Sequence, residues 1–335
     1  MEPLDALIAG MPKAELHMHL EGSIEPELTV ALAARNRVPI PYRSVEELRA
    51  AYRFTSLQSF LDVYYAGCKV LVAEQDFYDM TIAYLERARA ENVVHAEVFV
   101  SPQVHTRRGV PLEAVLEGID RALRDGERRL GLSTRLILGF QRQFSEDEAF
   151  AIVERALRWR ERIAGFGLGG PELGNPPGKF ARVFDRCRSL GFRLVAHAGE
   201  EAPAAYVAET VDLLKVDRID HGVRCEEDPA LVERLAALQV PLTVCPLSNV
   251  KLGVFPDVAS HNLKRLLDAG LMVTVNSDDP SYFAGYVNDN YIACRQALDL
   301  ARDDVQRLAR NSFRSAFLPD AEKRRYCAML DAHFQ

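Results

Sequence analysis

Short apolar, β-branched runs that end in polar or small residues recur along the chain, each followed by a longer stretch with apolar residues at helical spacing. The runs at 15–20 (ELHMHL), 93–99 (VVHAEVF), 134–140 (TRLILGF), 163–168 (IAGFGL), 193–197 (RLVAH), 218–221 (RIDH), 240–245 (VPLTVC) and 272–276 (MVTVN) predict eight strands. Amphipathic stretches such as 112–130 and 229–238 predict the helices between them. Strands that alternate with helices pair in parallel, because each crossover spans a dozen or more residues. Eight such units close naturally into a (β/α)8 TIM barrel. A doubly wound open sheet is the alternative, but it usually carries a glycine-rich phosphate turn after its first strand, and Glu21-Gly22-Ser23 is not that pattern.

The longest insertion, 36–91, falls between the first two strands and contains helical patterns at 56–71 and 74–90 after a charged start at 44–52. At the carboxyl-terminal mouth of a barrel such a segment serves as a helical lid; it reads equally well as an outer helix layer. The stretch 302–335 predicts extra packing helices at the carboxyl end. No linker, repeat or low-complexity run divides the chain, so 1–335 is read as one domain with the lid inside it.

Composition narrows the setting. The 335 residues carry 41 Lys+Arg against 48 Asp+Glu, a formal charge of −7. That balance lacks the basic face of a nucleic-acid-binding protein. No apolar run has the length of a membrane span, and the first residues lack a signal-peptide layout, so a cytoplasmic location is expected. The six cysteines (Cys68, Cys187, Cys225, Cys245, Cys294, Cys327) have no C-x-x-C spacing and are expected as free thiols. Nothing in the sequence fixes an oligomeric state.

In a barrel, chemistry collects where strands end. His17 and His19 sit two apart on a strand, so both imidazoles face one side. Aliphatic side chains would fill a core without burying polar nitrogens, and neutral imidazoles are good metal ligands. A lone His-x-His is also read as a hydrogen-bonded edge pair. His197 ends another strand with Glu200 three residues on, close enough to serve as proton carrier for a metal-activated water. Asp278-Asp279 ends the last strand, where adjacent carboxylates repel unless a cation or a donor offsets them; Asp-Asp-Pro is also good turn chemistry. His221 closes the sixth strand. Taken jointly, His17, His19, His197 and Asp278 form a three-nitrogen, one-carboxylate set suited to zinc, with Glu200 and His221 over the water.

The segments Pro12-Lys13-Ala14-Glu15-Leu16-His17-Met18-His19-Leu20-Glu21-Gly22, His197-Ala198-Gly199-Glu200, Asp220-His221-Gly222, Cys245-Pro246-Leu247-Ser248-Asn249 and Ser277-Asp278-Asp279-Pro280 resemble the adenosine/adenine deaminase family over about 8–318. The stretches FLDVYYAG from Phe60, EQDFYD from Glu74, PQVHT from Pro102 and Asn288-Asp289-Asn290 are most like its bacterial adenine deaminases. The resemblance implies a zinc hydrolase, one Zn2+ per subunit, that replaces the 6-amino group of a purine by oxygen and releases ammonia. It implies His17, His19, His197 and Asp278 as ligands and Glu200 as the acid that protonates N1. His221 would orient or stabilise the attacking oxygen, and Asp279 would accept a hydrogen bond from N7 or from the departing amine. Gly170 would offer its N–H to N3. Phe60, Leu61 and Tyr64 would form the apolar wall over the base, with Glu21 placed to favour a free base over a ribose.

Two departures bear on the substrate. Gly169-Gly170-Pro171 stands before Glu172 where the resemblance implies Asp-Ser-Ser, and Phe99-Val100-Ser101-Pro102 stands where it implies Phe-Phe-Asp-Pro. Both remove bulk or polarity, leaving an N6-substituted adenine, adenosine or an aminodeoxyfutalosine-type nucleoside as alternatives to adenine. A metal-dependent amide or ester hydrolase on the same barrel is a remoter reading, as is a binding protein with a dead site. His95-Ala96-Glu97 matches half of a second deaminase signature, but no P-C-x-x-C follows, so the triplet is read as part of a strand.

Overall fold

The computed structural model describes residues 3–335. Eight strands form one parallel sheet in the order β1-β2-β3-β4-β5-β6-β7-β8. They are β1 (Lys13–His19), β2 (Val93–Val100), β3 (Ser133–Gln141), β4 (Ile163–Gly169), β5 (Arg193–Ala198), β6 (Arg218–His221), β7 (Leu242–Val244) and β8 (Val273–Val275). The barrel closes between its first and last strands through Asp278, which follows β8. Its N–H donates to the His17 carbonyl at 3.0 Å, and its carbonyl accepts from the His19 N–H at 2.8 Å. One step down, the Leu16 N–H donates to the Asn276 side-chain oxygen at 2.9 Å, so an amide substitutes for backbone at the seam.

All eight expected strands are present, and the two at 240–245 and 272–276 are shorter than their apolar runs. Pro241 has no N–H to give a ladder, and at the other end the Asn276 side chain takes over the pairing. Met18, between the two histidines of β1, points the opposite way into the main core with Leu16 and Leu20.

The insertion divides into two functions. The helix Glu74–Ala90 buries Phe77, Met80, Tyr84 and Leu85 in the main core and packs along the helix Leu112–Leu130, as an outer-layer crossover between β1 and β2. The helix Leu57–Gly67 instead belongs to a separate apolar cluster that includes Phe60, Leu61, Tyr64, Tyr282 and Phe283, over the mouth of the barrel. A reciprocal Ser56–Ser59 cap starts it: each hydroxyl accepts the other's N–H, at 3.2 and 3.1 Å.

At the opposite end, the His95-Ala96-Glu97 triplet belongs to a buried ion cluster. Glu97 accepts from Arg218 at 2.6 Å and faces His95 Nε2 at 3.1 Å, and it also accepts the Phe317 N–H; the Phe317 ring covers the guanidinium at 4.3 Å. The triplet thus plugs the barrel floor and is remote from the mouth. All six cysteines are free. Among the described residues no helix is long and apolar enough to cross a membrane.

Candidate active site

The strand ends bring four side chains to one point. His17 Nε2 and His19 Nε2 each lie 3.2 Å from His197 Nε2. Both also lie 3.4 Å from Asp278 Oδ1. Separations of this size are those of neighbouring donor atoms on an ion held at 2.0–2.1 Å, about 3.4 Å. The donor chemistry fits as well. His17 Nδ1 lies 3.1 Å from the Thr243 carbonyl, which can only accept, so the proton sits on Nδ1 and Nε2 keeps its lone pair. His197 Nδ1 faces Asp220 Oδ2 at 3.2 Å, which likewise leaves a lone pair on Nε2. Lone pairs that converge with a carboxylate have nothing to donate to one another, and a cation satisfies them all. Burial also favours neutral imidazoles: it lowers His17 below its usual value and brings His19 to about 3.

Two overlapping groups have ligand atoms close enough to share an ion: His17, His197, His221 and Asp278, and His19, Asp278 and Asp279. Asp278 and His221 both adopt a left-handed backbone with φ of 64°, rare outside glycine. At Asp278 this turn ends the strand so that its carboxylate faces the cluster, where Ser248 Oγ donates to Oδ2 at 2.6 Å.

Around the cluster stand polar atoms that the fold buries without a partner. Asp279 Oδ1 and His221 Nε2 have none among the described residues. His221 Nε2 lies 3.7 Å from Glu200 Oε2 and 3.8 Å from Asp278 Oδ2. Burial, then the Asp278 charge, pushes both Glu200 and Asp279 well above the usual carboxylate range, and a bound cation acts in the opposite direction. Unpaired buried groups cost about 1–3 kcal/mol each, so their concentration around one cavity marks a place where a ligand's polar atoms are received.

Glu200 is held by a second carboxylate. Glu172, in the loop after β4, accepts the N–H of Gly199 at 2.6 Å on one oxygen. On the other it accepts those of Glu200, Glu201 and Ala202 at 3.1, 3.0 and 2.8 Å. Buried Arg142 lies beside it and donates to the His197 carbonyl.

The cavity wall joins His19, His197, Glu200, His221, Asp278 and Asp279 to Phe60, Leu61, Tyr64 and Gly170. Glu21 is not part of that wall. Its Oε1 is drawn aside by the Ser101 N–H at 2.9 Å and His105 Nε2 at 3.0 Å, and its Oε2 is buried without a partner among the described residues. Gly170 has φ of +89°, and a Cβ there would stand 2.6 Å from Gln143 Oε1. The bulk missing at Gly170 and Ser101 is thus replaced from β3 and its loop. Gln141 receives the Tyr65 hydroxyl at 2.6 Å and donates to Ser101 Oγ at 2.9 Å.

Sequence reasoning assigned no role to Asp220, Thr243, Ser248 or Glu172. Asp220 and Ser248 lie inside the quoted segments Asp-His-Gly and Cys-Pro-Leu-Ser-Asn, which was the available signal. Thr243 acts through its main-chain carbonyl, and Glu172 through four backbone groups, so neither leaves a mark in side-chain spacing.

An eight-stranded parallel barrel with imidazoles and carboxylates gathered at the carboxyl ends of its strands has the architecture of an α/β-barrel hydrolase. The family model for adenosine deaminase matches residues 12–333, and the chain belongs to that hydrolase family. It is 60% identical over 332 residues to an adenine deaminase of Ralstonia pickettii (strain 12J), covering 98% of this chain and 96% of that protein. A crystal structure of an adenine deaminase from Arthrobacter aurescens superposes with a TM-score of 0.95 at 51% identity, covering 96% of this chain and 99% of that one. An amidohydrolase from Burkhoderia ambifaria, crystallised with bound zinc, gives a TM-score of 0.91 at 30% identity, with 98% and 92% covered.

Proposed function

We propose that the protein hydrolyses adenine to hypoxanthine and ammonia, with one zinc ion per subunit held by His17, His19, His197 and Asp278. The observation that carries the metal is the four separations of 3.2–3.4 Å among ligand atoms of these residues, with His17 Nδ1 committed to a carbonyl and His197 Nδ1 facing a carboxylate. Bound there, a divalent ion supplies the Lewis acidity that makes water a nucleophile at neutral pH. The likeness to adenine deaminases over nearly the full chain supports adenine as the substrate.

The chain's own groups then have these tasks. Glu200, buried and held above the usual carboxylate range, delivers a proton to N1, which makes C6 electrophilic; the carboxylate so formed takes the proton of the hydroxyl added at C6 and passes it to the leaving amine. His221 stabilises the attacking oxygen. Asp279 receives a hydrogen bond at the N7 side, and the Gly170 N–H meets N3. Phe60, Leu61 and Tyr64, on the lid helix, cover the ring and keep bulk water out. The amide network of Tyr65, Gln141 and Gln143 fills the space beside Gly170, at the N3 edge of the base, which favours a free base over a 9-substituted nucleoside.

The test is turnover of adenine, adenosine and N6-methyladenine by the zinc-loaded protein, followed by ammonia release and the ultraviolet change. Adenine is expected to have the highest kcat/KM. Preference for either other compound overturns the substrate, and full activity after stripping and verified absence of metal overturns the metal.

A further inference from the structure

A buried chain of hydrogen bonds runs from the main chain at Leu263 to His221. The Leu263 N–H donates to His261 Nδ1 at 3.0 Å, which leaves the proton of this neutral imidazole on Nε2. Burial holds His261 down at about 3, so it stays neutral. Nε2 then donates to Asn249 Oδ1 at 3.2 Å, and Asn249 Nδ2 faces His221 Nδ1 at 3.3 Å. The two ends of an amide look alike in shape, but the reverse orientation would set the amide NH2 against the His261 N–H, donor to donor. A backbone N–H therefore fixes the direction of the whole chain. His261, Asn249 and His221 are each no more than 1% exposed, so water does not scramble it.

We infer that Asn249 and His261 are positioning residues that keep the His221 proton on Nε2, which makes His221 a hydrogen-bond donor into the site and excludes it as a metal ligand and as a base. Its role as a donor to the reacting oxygen rests on the deaminase reading; the tautomer does not. The surroundings agree independently, because Nε2 lies 3.8 Å from the Asp278 carboxylate, which attracts an N–H and repels a lone pair. The same chain removes His221 from the first of the two overlapping ligand groups. His221 is close enough to share an ion with His17, His197 and Asp278, but its inward nitrogen has no lone pair to give, whereas those of His17 and His197 do.

The decisive measurement is the ring-nitrogen NMR spectrum of histidine-labelled protein, with and without metal, assigned with His221→Gln and His261→Gln. His221 is expected to show a protonated Nε2 and a bare Nδ1, unchanged when metal is bound; a protonated Nδ1, or metal bonding at Nε2, overturns the inference. Asn249→Asp is nearly isosteric and accepts from both imidazoles, which transfers the His221 proton to Nδ1. It is expected to lower kcat for adenine by about 100-fold, the usual loss for one donor to a reacting oxygen, with metal content and KM nearly unchanged. A kcat within about threefold of wild type overturns the inference. If wild type leaves adenine untouched, the proposed activity fails, and the spectrum still decides the tautomer.

Discussion

Replacing Glu172 by glutamine removes one charge and changes no shape, and the structure gives the expected cost. One carboxylate oxygen takes a single N–H and the other takes three. However the amide turns, its NH2 meets at least one N–H. The best arrangement loses one charge-assisted bond, worth about 1.5–3 kcal/mol, and weakens three others by about half a kcal/mol each. The total is about 4 kcal/mol. At about 2.1 cal/mol/K per residue, a chain of 335 residues has an unfolding entropy of about 0.7 kcal/mol/K, so Tm should fall by about 6 °C. Catalysis should suffer separately, because the freed loop carries Glu200. A displacement of about 1 Å at a reacting group costs about 100-fold, so kcat should fall between about 10- and 100-fold with KM and metal content little changed. Calorimetry, adenine turnover and metal analysis on one preparation test this together. In Glu172→Gly, added formate should occupy the nest and restore part of kcat. A variant with unchanged Tm and kcat refutes the reasoning; one with lowered Tm but unchanged kcat shows that the clamp supports the fold without positioning Glu200.

Glu200→Gln should lose on the order of 10²–10⁴ in kcat while binding metal normally, because the proton carrier is removed and the ligands remain; turnover near wild type would exclude Glu200 as that carrier. Gly22→Ala should inactivate the enzyme without unfolding it, since the new Cβ would stand 1.9 Å from Asp279 Oδ1 and must push that carboxylate aside; circular dichroism with turnover checks it, and an active variant contradicts a tight role for Asp279. Acid should expose the barrel floor. Burial alone would raise Glu97, but Arg218 and His95 outweigh it and hold Glu97 at about 2. The unfolded chain, with an ordinary value of about 4.3, takes up this proton first, so the contribution is full above that pH and is lost as pH falls toward 2. Glu97→Gln should therefore flatten the loss of stability between those values, measured by urea unfolding, and an unaltered slope would show that other carboxylates dominate.

The barrel and the convergence of His17, His19, His197 and Asp278 are legible because both depend on periodicity and chain order. Alternation places His17 and His19 on one face, and the strand ends supply His197, His221 and Asp278 to the same rim. What escaped the sequence are interactions through main-chain atoms. The clamp of Glu172, the Thr243 carbonyl behind His17 and the Leu263 N–H behind His261 have no side-chain signature. Glu21 was expected against the substrate, but Ser101 and His105, 80 and 84 residues away, draw it off the cavity wall. The helical patterns at 56–71 and 74–90 look alike in sequence, and only packing separates a crossover that buries Phe77 and Tyr84 from a helix over the mouth that buries Phe60 and Tyr64.

Asp278 stitches the last strand to the first with its main chain and offers its side chain to the cluster, across 260 residues of sequence from Met18, its bridge partner. During synthesis the first two histidines emerge long before their carboxylate, so a nascent chain has no complete site in which to trap an ion. If the proposed metal is held there, it can be captured only as the barrel shuts, and it would then hold the two ends of the sheet together. Chelation should therefore first release the seam between β1 and β8, visible as hydrogen exchange at the His19 and Asp278 amides, while the β2–β3 pair on the far side keeps its protection.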